Sequence, residues 1–170
     1  MENEVKPLYV FVTVGAPACG KSSFYHKISA EDDWGMSDTP AYISSDDIRE
    51  ELFGTAYDQS DPSQVFALVN ERAESYLAKG VSVYLDATHA KYAWRLAALN
   101  LAHRYSAVCV ALHFRVPLWT LIKRDRRRTR HVGFWTLVRY YFGLQEPCLA
   151  EGFDAVFCVG RDGQFGDIEW

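Results

Sequence analysis

Short runs of β-branched and aromatic residues alternate along the chain with longer segments in which apolar residues recur at helical spacing. The short runs predict buried strands at residues 8–14, 41–43, 81–86, 107–114 and 154–159. The longer segments predict helices over residues 21–29, 44–53, 62–79, 91–104, 118–128 and 134–142. Because strands alternate with helices, the pattern predicts an α/β fold with a largely parallel sheet flanked by helices.

The length and composition favour one domain without a membrane segment. A chain of 170 residues, 49% of them hydrophobic, can bury one sizeable core, so we expect a single domain over residues 1–170. The apolar stretch at 106–114 is far shorter than the roughly 20 residues of a membrane-spanning helix. The acidic start at 1–7 is unlike a signal peptide, and the dispersed cysteines and histidines predict neither disulfides nor a zinc site. We therefore expect a cytoplasmic protein that does not bind membranes; its oligomeric state stays open.

The segment after the first predicted strand matches the phosphate-loop pattern G-x-x-x-x-G-K-[ST]. It consists of Gly15, Ala16, Pro17, Ala18, Cys19, Gly20, Lys21 and Ser22, and Ser23 follows it. In such a loop the backbone N–H groups converge on phosphate oxygens, the lysine reaches the β- and γ-phosphates, and the serine hydroxyl coordinates Mg²⁺. The flanking strand and helix are the context that the motif requires. The sequence therefore predicts an ATP site with Lys21 as a catalytic residue and Ser22 as a magnesium ligand.

Acidic residues at the ends of two other predicted strands indicate where the phosphate acceptor would bind. Asp46 follows the second strand and Asp86 ends the third, and the carboxyl ends of parallel strands share one edge of a sheet. A carboxylate at Asp46 could orient and deprotonate an attacking hydroxyl, whereas helix capping, the alternative, suits Asp47 better. Arg49 lies one helical turn after Asp46. It either binds an acceptor phosphate or forms a surface ion pair with Glu50 or Asp47.

Charge is distributed unevenly along the chain. The net charge is −4, yet residues 123–130 contain six basic residues and one acid, Asp125, so a local charge of +5 leaves −9 for the rest. One interpretation is a solvated helix face. The other is a cationic segment over the nucleotide, because phosphoryl transfer spreads negative charge over the γ-phosphoryl oxygens.

Several of these segments together resemble the 5′-kinase domain of phage and bacterial polynucleotide kinases. The resemblance is carried by Gly15–Ser22, Ile43–Arg49, Leu85–His89, and Trp119–Arg124 with the arginines that follow. The segment Glu151–Asp154 also resembles related bacterial kinases. The resemblance extends from about residue 8 to residue 159. It implies a P-loop NTPase-type fold that transfers the γ-phosphate of ATP, with Mg²⁺, to the 5′-hydroxyl of a DNA or RNA end.

The resemblance also implies roles for residues on the acceptor side. Asp46 would be the general base on the 5′-hydroxyl, and Arg49 would hold the adjacent phosphate of the acceptor. Asp86 and Thr88 would line the acceptor path, and Arg95 would meet the acceptor backbone. A second role stays open for Asp86, as an outer-shell partner of magnesium or a structural partner.

On the donor side, the resemblance implies a basic helical lid over about residues 124–140. Arg128 matches the lid arginine that contacts the nucleotide phosphates and stabilises the transferring group, and Arg124, one turn earlier, is a second candidate. Gly133 stands where the family commonly has a proline, so we expect a looser hinge. Many of these kinases are fused to a phosphatase or ligase, but the 170 residues here lead us to expect the kinase activity alone.

Two other functions are compatible with these residues. The first is a P-loop kinase of a small acceptor, such as a nucleoside, a sugar nucleotide or an antibiotic, which also needs Lys21, Ser22 and Asp46. Its acceptor binding would depend much less on salt than binding of a nucleic-acid backbone does. The second is a nucleotide-switched binding module without transfer, which has no need of a base at Asp46. The Asn-Lys-x-Asp signature of a GTPase is absent from the sequence.

Overall fold

The predicted strands form one sheet in a computed structural model that describes residues 6–169. Their bounds are β1 (Tyr9–Val14), β2 (Ala41–Ser44), β3 (Val83–Asp86), β4 (Val108–Phe114), β5 (Ala155–Val159) and β6 (Phe165–Glu169). The strand order is β2-β3-β1-β4-β5-β6, with β1 to β5 parallel and β6 antiparallel to β5. The predicted α/β fold with a largely parallel sheet is confirmed.

Helices connect the parallel strands. They are α1 (Lys21–Glu31), α2 (Ser45–Phe53), α3 (Pro62–Ala78), α4 (Tyr92–Arg104), α5 (Leu118–Asp125) and α6 (Phe134–Gly143), followed by a 3₁₀ turn at Leu149–Glu151. Two of the helix starts follow from capping. The Ser44 hydroxyl accepts a hydrogen bond from Asp47 N, and Asp61 accepts one from Gln64 N just before Pro62 at the first helical position.

The core lies on both faces of the sheet, because side chains alternate between faces along each strand. Val10 and Val12 of β1 pack with residues of α2, α3 and α4, whereas Phe11 packs with residues of α1, α5 and α6. In β3, Tyr84 lies on the α1 side between two residues that face the other way. The buried strands therefore read as nearly continuous hydrophobic runs, as expected for a parallel sheet covered on both faces.

The structure differs from the sequence predictions at two places. The strand β6 was not predicted, because its residues include glycine and acidic residues and because, within residues 6–169, it lies at the edge of the sheet and pairs with β5 alone. Helix α5 ends at Asp125 rather than near residue 128. The prediction of a single domain extends to residues 1–5 and 170, which lie outside the described residues. Within residues 6–169, no helix has both the length and the apolar character that crossing a membrane would need.

Two buried histidines make the stability of this fold depend on pH. His89 and His113 are 3% and 4% exposed, and burial lowers the pKa of each to about 4. The ordinary value is near 6.5. Between these two values the unfolded chain binds protons that the folded chain excludes, so the free energy of unfolding falls as the pH falls.

We expect each of the two histidines to cost about 2 kcal/mol of folding stability between pH 7 and pH 5, because one unit of pKa shift corresponds to about 1.4 kcal/mol. Urea unfolding at the two pH values measures the loss. The variant His113→Gln should lose about 2 kcal/mol less than the wild type, whereas replacement of the exposed His103 by glutamine should change nothing. Identical pH dependence in His113→Gln and wild type would contradict this account.

Candidate active site

The phosphate loop connects β1 to the start of α1, and its backbone depends on two residues with positive φ. Gly20, the N-cap of α1, has φ 107°, and Ala18 has φ 64°. Gly15 is required for a different reason, since a Cβ there would lie 2.7 Å from Cys19 Sγ. The Gly15 N–H donates to Thr88 O at 3.1 Å, which ties the loop to the end of β3. The loop thus presents the N-terminus of α1 at the carboxyl edge of the sheet, the place where such helices bind phosphate.

Lys21 lies over this loop and contacts its backbone. Its Nζ donates to Gly15 O at 3.2 Å and to Ala16 O at 3.1 Å, and lies 3.6 Å from Cys19 Sγ. These carbonyls mark where the ammonium group sits, and phosphate oxygens of a nucleotide in the loop would replace them as partners. Burial raises the pKa of the Cys19 thiol, which favours a small neutral loop residue over a reactive thiolate.

A network of three side chains lies beside the predicted magnesium ligand. Ser22 Oγ donates to Asp86 Oδ2 at 2.5 Å, and Tyr42 Oη donates to the same oxygen at 2.6 Å. Burial, and then the negative charge of Asp86, raise the pKa of Tyr42, so its hydroxyl stays a donor. A hydroxyl and a carboxylate are the oxygen ligands that Mg²⁺ prefers, and in kinases Mg²⁺ usually takes its other ligands from substrate phosphates and water. The pair Ser22 and Asp86 therefore fits Mg²⁺, and this contact favours the magnesium role for Asp86 over the acceptor-path role.

Asp46 opens α2, and both of its carboxylate oxygens contact arginines. Arg49 Nη1 donates to Oδ1 at 2.7 Å, and Arg130 Nη1 donates to Oδ2 at 2.8 Å. Because Ser44 caps the helix, the Asp46 side chain is not occupied by capping and lines the cleft. The structure thus gives Arg49 a partner, Asp46, that neither sequence interpretation of Arg49 included.

One cleft lies at the carboxyl edge of the sheet. It is lined by residues of the phosphate loop, by Asp46, and by residues of the basic segment, 123–130. Its volume is about 1940 Å³. Pockets for a single small molecule have volumes of roughly 300–1000 Å³, so the cleft has room for a nucleotide and a second substrate. Of the predicted site residues, those that line the cleft are Pro17, Ala18, Cys19, Gly20, Lys21, Ser22, Ser23, Asp46, Arg49, Asp86, Thr88, Arg124 and Arg128.

The basic segment reaches the phosphate loop through Arg124. Its Nη1 donates to Cys19 O at 2.9 Å and its Nη2 to Arg161 O at 2.5 Å. Arg128 lies exposed at the cleft. Asp125, only 4% exposed, shapes the loop between α5 and α6, since its carboxylate accepts the N–H groups of Val132 and Gly133. These bonds end α5 early and fold the arginine-rich loop back toward the cleft.

The prediction that Arg95 meets the acceptor backbone is wrong. Its side chain is 0% exposed and does not line the cleft. It forms a two-bond ion pair with Glu151, and its Nη1 donates to His89 O at 2.8 Å. Arg95 therefore links α4 to the 3₁₀ turn before β5, and Glu151, part of a segment noted for its resemblance to bacterial kinases, is its structural partner.

Sequence reasoning missed two residues of the site. Tyr42 contacts Asp86 from the neighbouring strand, and the one sequence signal is its position two residues before Ser44, on the same face of β2. Arg130 contacts Asp46 across 84 residues of sequence. It belongs to the basic segment, but nothing in the local pattern separates it from the other arginines there.

A comparison with models of known protein families identifies the family of this chain. The model of the AAA_33 family, described as an AAA domain, matches residues 10–135, which is most of the 170-residue chain. The chain belongs to the AAA_33 family. Its mostly parallel sheet and its phosphate loop are typical of P-loop NTPases, and the match leaves its activity and its acceptor open. No curated protein matches this chain.

Solved structures share the fold of this AAA_33 chain at low sequence identity. A chain of the Pnkp1/Rnl/Hen1 RNA repair complex has a TM-score of 0.62 and 22% identity, over 85% of this chain and 46% of that one. This chain therefore spans less than half of that protein. A gluconokinase from Sinorhizobium meliloti has a TM-score of 0.59 and 20% identity, over 92% and 83% of the two chains. Kti12 from Chaetomium thermophilum, in complex with ADP-AlF3, has a TM-score of 0.68 and 16% identity, over 91% and 89%.

Proposed function

We propose that this AAA_33 protein is a P-loop kinase, which transfers the γ-phosphate of ATP to the 5′-hydroxyl of a DNA or RNA end. One observation carries the proposal: the Asp46 carboxylate lies in the same cleft as the phosphate loop and contacts both Arg49 and Arg130. Arg130 belongs to the loop between α5 and α6, residues 126–133, which we call the basic loop. A base for the acceptor and a cationic site for a nearby phosphate are thus adjacent. This pairing suits an acceptor whose hydroxyl lies close to a phosphodiester.

In this proposal each side chain acts on the atoms nearest to it. Lys21 and the N–H groups at the start of α1 bind the β- and γ-phosphates. Mg²⁺ held near Ser22 and Asp86 would neutralise phosphate charge when bound. Asp46 accepts the proton of the attacking hydroxyl. Arg128, with Arg124 behind it, stabilises the negative charge on the transferring group as the basic segment closes and excludes water.

The charges around the cleft support a polyanionic acceptor. The whole chain is acidic, at −4, yet five arginines of α2, the basic loop and α6 line the cleft. They are Arg49, Arg127, Arg128, Arg130 and Arg139. A nucleic-acid strand that neutralises several of them would bind less tightly as salt rises, because its counterions are released on binding. A small neutral acceptor would show little such dependence.

The test is transfer of labelled γ-phosphate from ATP to a matched set of acceptors. The set contains a 5′-hydroxyl oligonucleotide, the same oligonucleotide with a 5′-phosphate, a mononucleoside, and gluconate as a small alcohol. We expect label on the 5′-hydroxyl oligonucleotide, none on its 5′-phosphorylated twin, and a KM for the oligonucleotide that rises steeply between 50 and 200 mM salt, by about tenfold or more. Transfer confined to small acceptors would refute the nucleic-acid acceptor and select the small-molecule kinase.

A further inference from the structure

Two arginines share the single carboxylate of Asp46, and one of them comes from the basic loop. Arg49 contacts one oxygen and Arg130 contacts the other. The two guanidinium groups carry two positive charges against one negative charge at this contact. A surplus cation beside the proposed acceptor site favours an additional anion there.

Arg130 is held at this place by more than the ion pair. Its Nη2 donates to Ala56 O at 2.6 Å, and its guanidinium lies 4.9 Å from the centre of the Tyr57 ring. Both partners belong to the connection between α2 and α3, whereas Arg124 contacts Cys19 of the phosphate loop. The basic segment therefore reaches the donor loop through one arginine and the acceptor side through another.

Each of the two arginines at Asp46 also has one buried N–H group that makes no hydrogen bond. Among the described residues, Arg49 Nε and Arg130 Nε are buried and have no hydrogen-bond partner. Arg49 is only 7% exposed and lines the cleft. The nearby Asp58 carboxylate bonds neither of these Nε groups, and its Oδ1 accepts the N–H of Ser60. Buried guanidinium donors without a partner are costly, and a tetrahedral anion with several acceptor oxygens can satisfy donors from two guanidinium groups at once.

We propose that Arg130 is an acceptor-binding residue, which together with Arg49 holds the phosphate adjacent to the acceptor hydroxyl. This inference rests on the proposed function. When the phosphate binds, it takes over donors that now contact Asp46, so the carboxylate becomes available to the hydroxyl. Because Arg130 belongs to the basic loop, the same contact draws that loop over the cleft. Acceptors that lack the phosphate gain neither effect.

The test compares two acceptors that differ only in this phosphate, adenosine 3′-monophosphate and adenosine, in one set of variants. In Arg130→Ala we expect kcat/KM for adenosine 3′-monophosphate to fall by about tenfold or more, mainly through a higher KM, since bidentate charge-assisted bonds are lost. For adenosine it should change by less than about twofold. Arg130→Lys keeps the charge but lacks the planar guanidinium fork. Its kcat/KM for adenosine 3′-monophosphate should therefore lie between the values for Arg130→Ala and the wild type. Arg126→Ala removes an exposed loop arginine outside the cleft and should match the wild type.

The ratio between the two acceptors is measured within each variant, so a general loss of folded protein cancels. Equal loss on both acceptors, or no loss on either, would overturn the proposal for Arg130 while leaving the kinase intact. Should the wild type phosphorylate no nucleic-acid acceptor, the proposed function fails, and calorimetric titration of adenosine 3′-monophosphate in the presence of ADP and Mg²⁺ still decides the site. Binding that disappears in Arg130→Ala supports it, and absence of binding to the wild type overturns it.

Discussion

Replacing Asp46 by asparagine should lower kcat for phosphoryl transfer by about a thousandfold while the Kd for ATP changes by less than about threefold. The amide keeps the size of the carboxylate but cannot accept the proton of the acceptor hydroxyl, and general bases contribute about 10²–10⁴ to rate. ATP binding should persist because Asp46 lies on the acceptor side, away from the contacts of Lys21 with the loop. Initial rates at saturating substrates and an equilibrium titration with ATP give the two numbers.

The control for this variant is Glu50→Gln. Glu50 is an exposed acid on the same helix and does not line the cleft, so its loss changes the charge of α2 without touching the site. It should keep wild-type kcat. If Asp46→Asn retained more than about a tenth of wild-type kcat, Asp46 would not be the general base. Its contacts with Arg49 and Arg130 would then have a structural role.

Replacing Lys21 by alanine should also reduce transfer by about a thousandfold, but with a different signature. Its ammonium group is the side-chain cation held over the phosphate loop by Gly15 O and Ala16 O. Removing it takes away charge that stabilises the transferring phosphoryl group, a loss of about 10²–10³ for one such donor, and weakens ground-state binding of ATP as well. We therefore expect both a lower kcat and a raised Kd for ATP.

Lys79→Ala provides the matched control, because Lys79 caps the far end of α3 and lies over the Tyr76 ring, outside the cleft. It should leave both values unchanged. Donor and acceptor functions then separate cleanly, since Asp46→Asn affects the rate alone and Lys21→Ala affects rate and ATP affinity together. A Lys21→Ala protein that transfers phosphate at a rate near that of the wild type would contradict the assignment of the loop.

The parts of the site that the sequence predicted are those whose geometry is local. The phosphate loop is a contiguous motif between a strand and a helix, and Asp46 follows its strand by two residues, so strand order alone brings them to one edge. The Ser44 cap of α2 is local as well, since Ser44 and Asp47 lie three residues apart.

What the sequence could not supply were contacts between distant segments. Arg95 lies on a helix whose faces are poorly distinguished by hydrophobicity, and its partner Glu151 is 56 residues away, so burial could not be inferred. Arg130 reaches Asp46 because the buried Asp125 folds the loop back through backbone hydrogen bonds. A single acid among six basic residues gave no local sign of that role, and a continuous helix to residue 128 was the simpler expectation.

A crystal structure with ADP, Mg²⁺, aluminium fluoride and a 5′-hydroxyl dinucleotide tests the central claim most directly. The account predicts the 5′-oxygen within about 3 Å of an Asp46 carboxylate oxygen, in line with the metal fluoride, with Lys21 and an arginine of the basic segment on the fluoride atoms. A 5′-hydroxyl bound away from Asp46, or metal fluoride without contacts to Lys21, would contradict it.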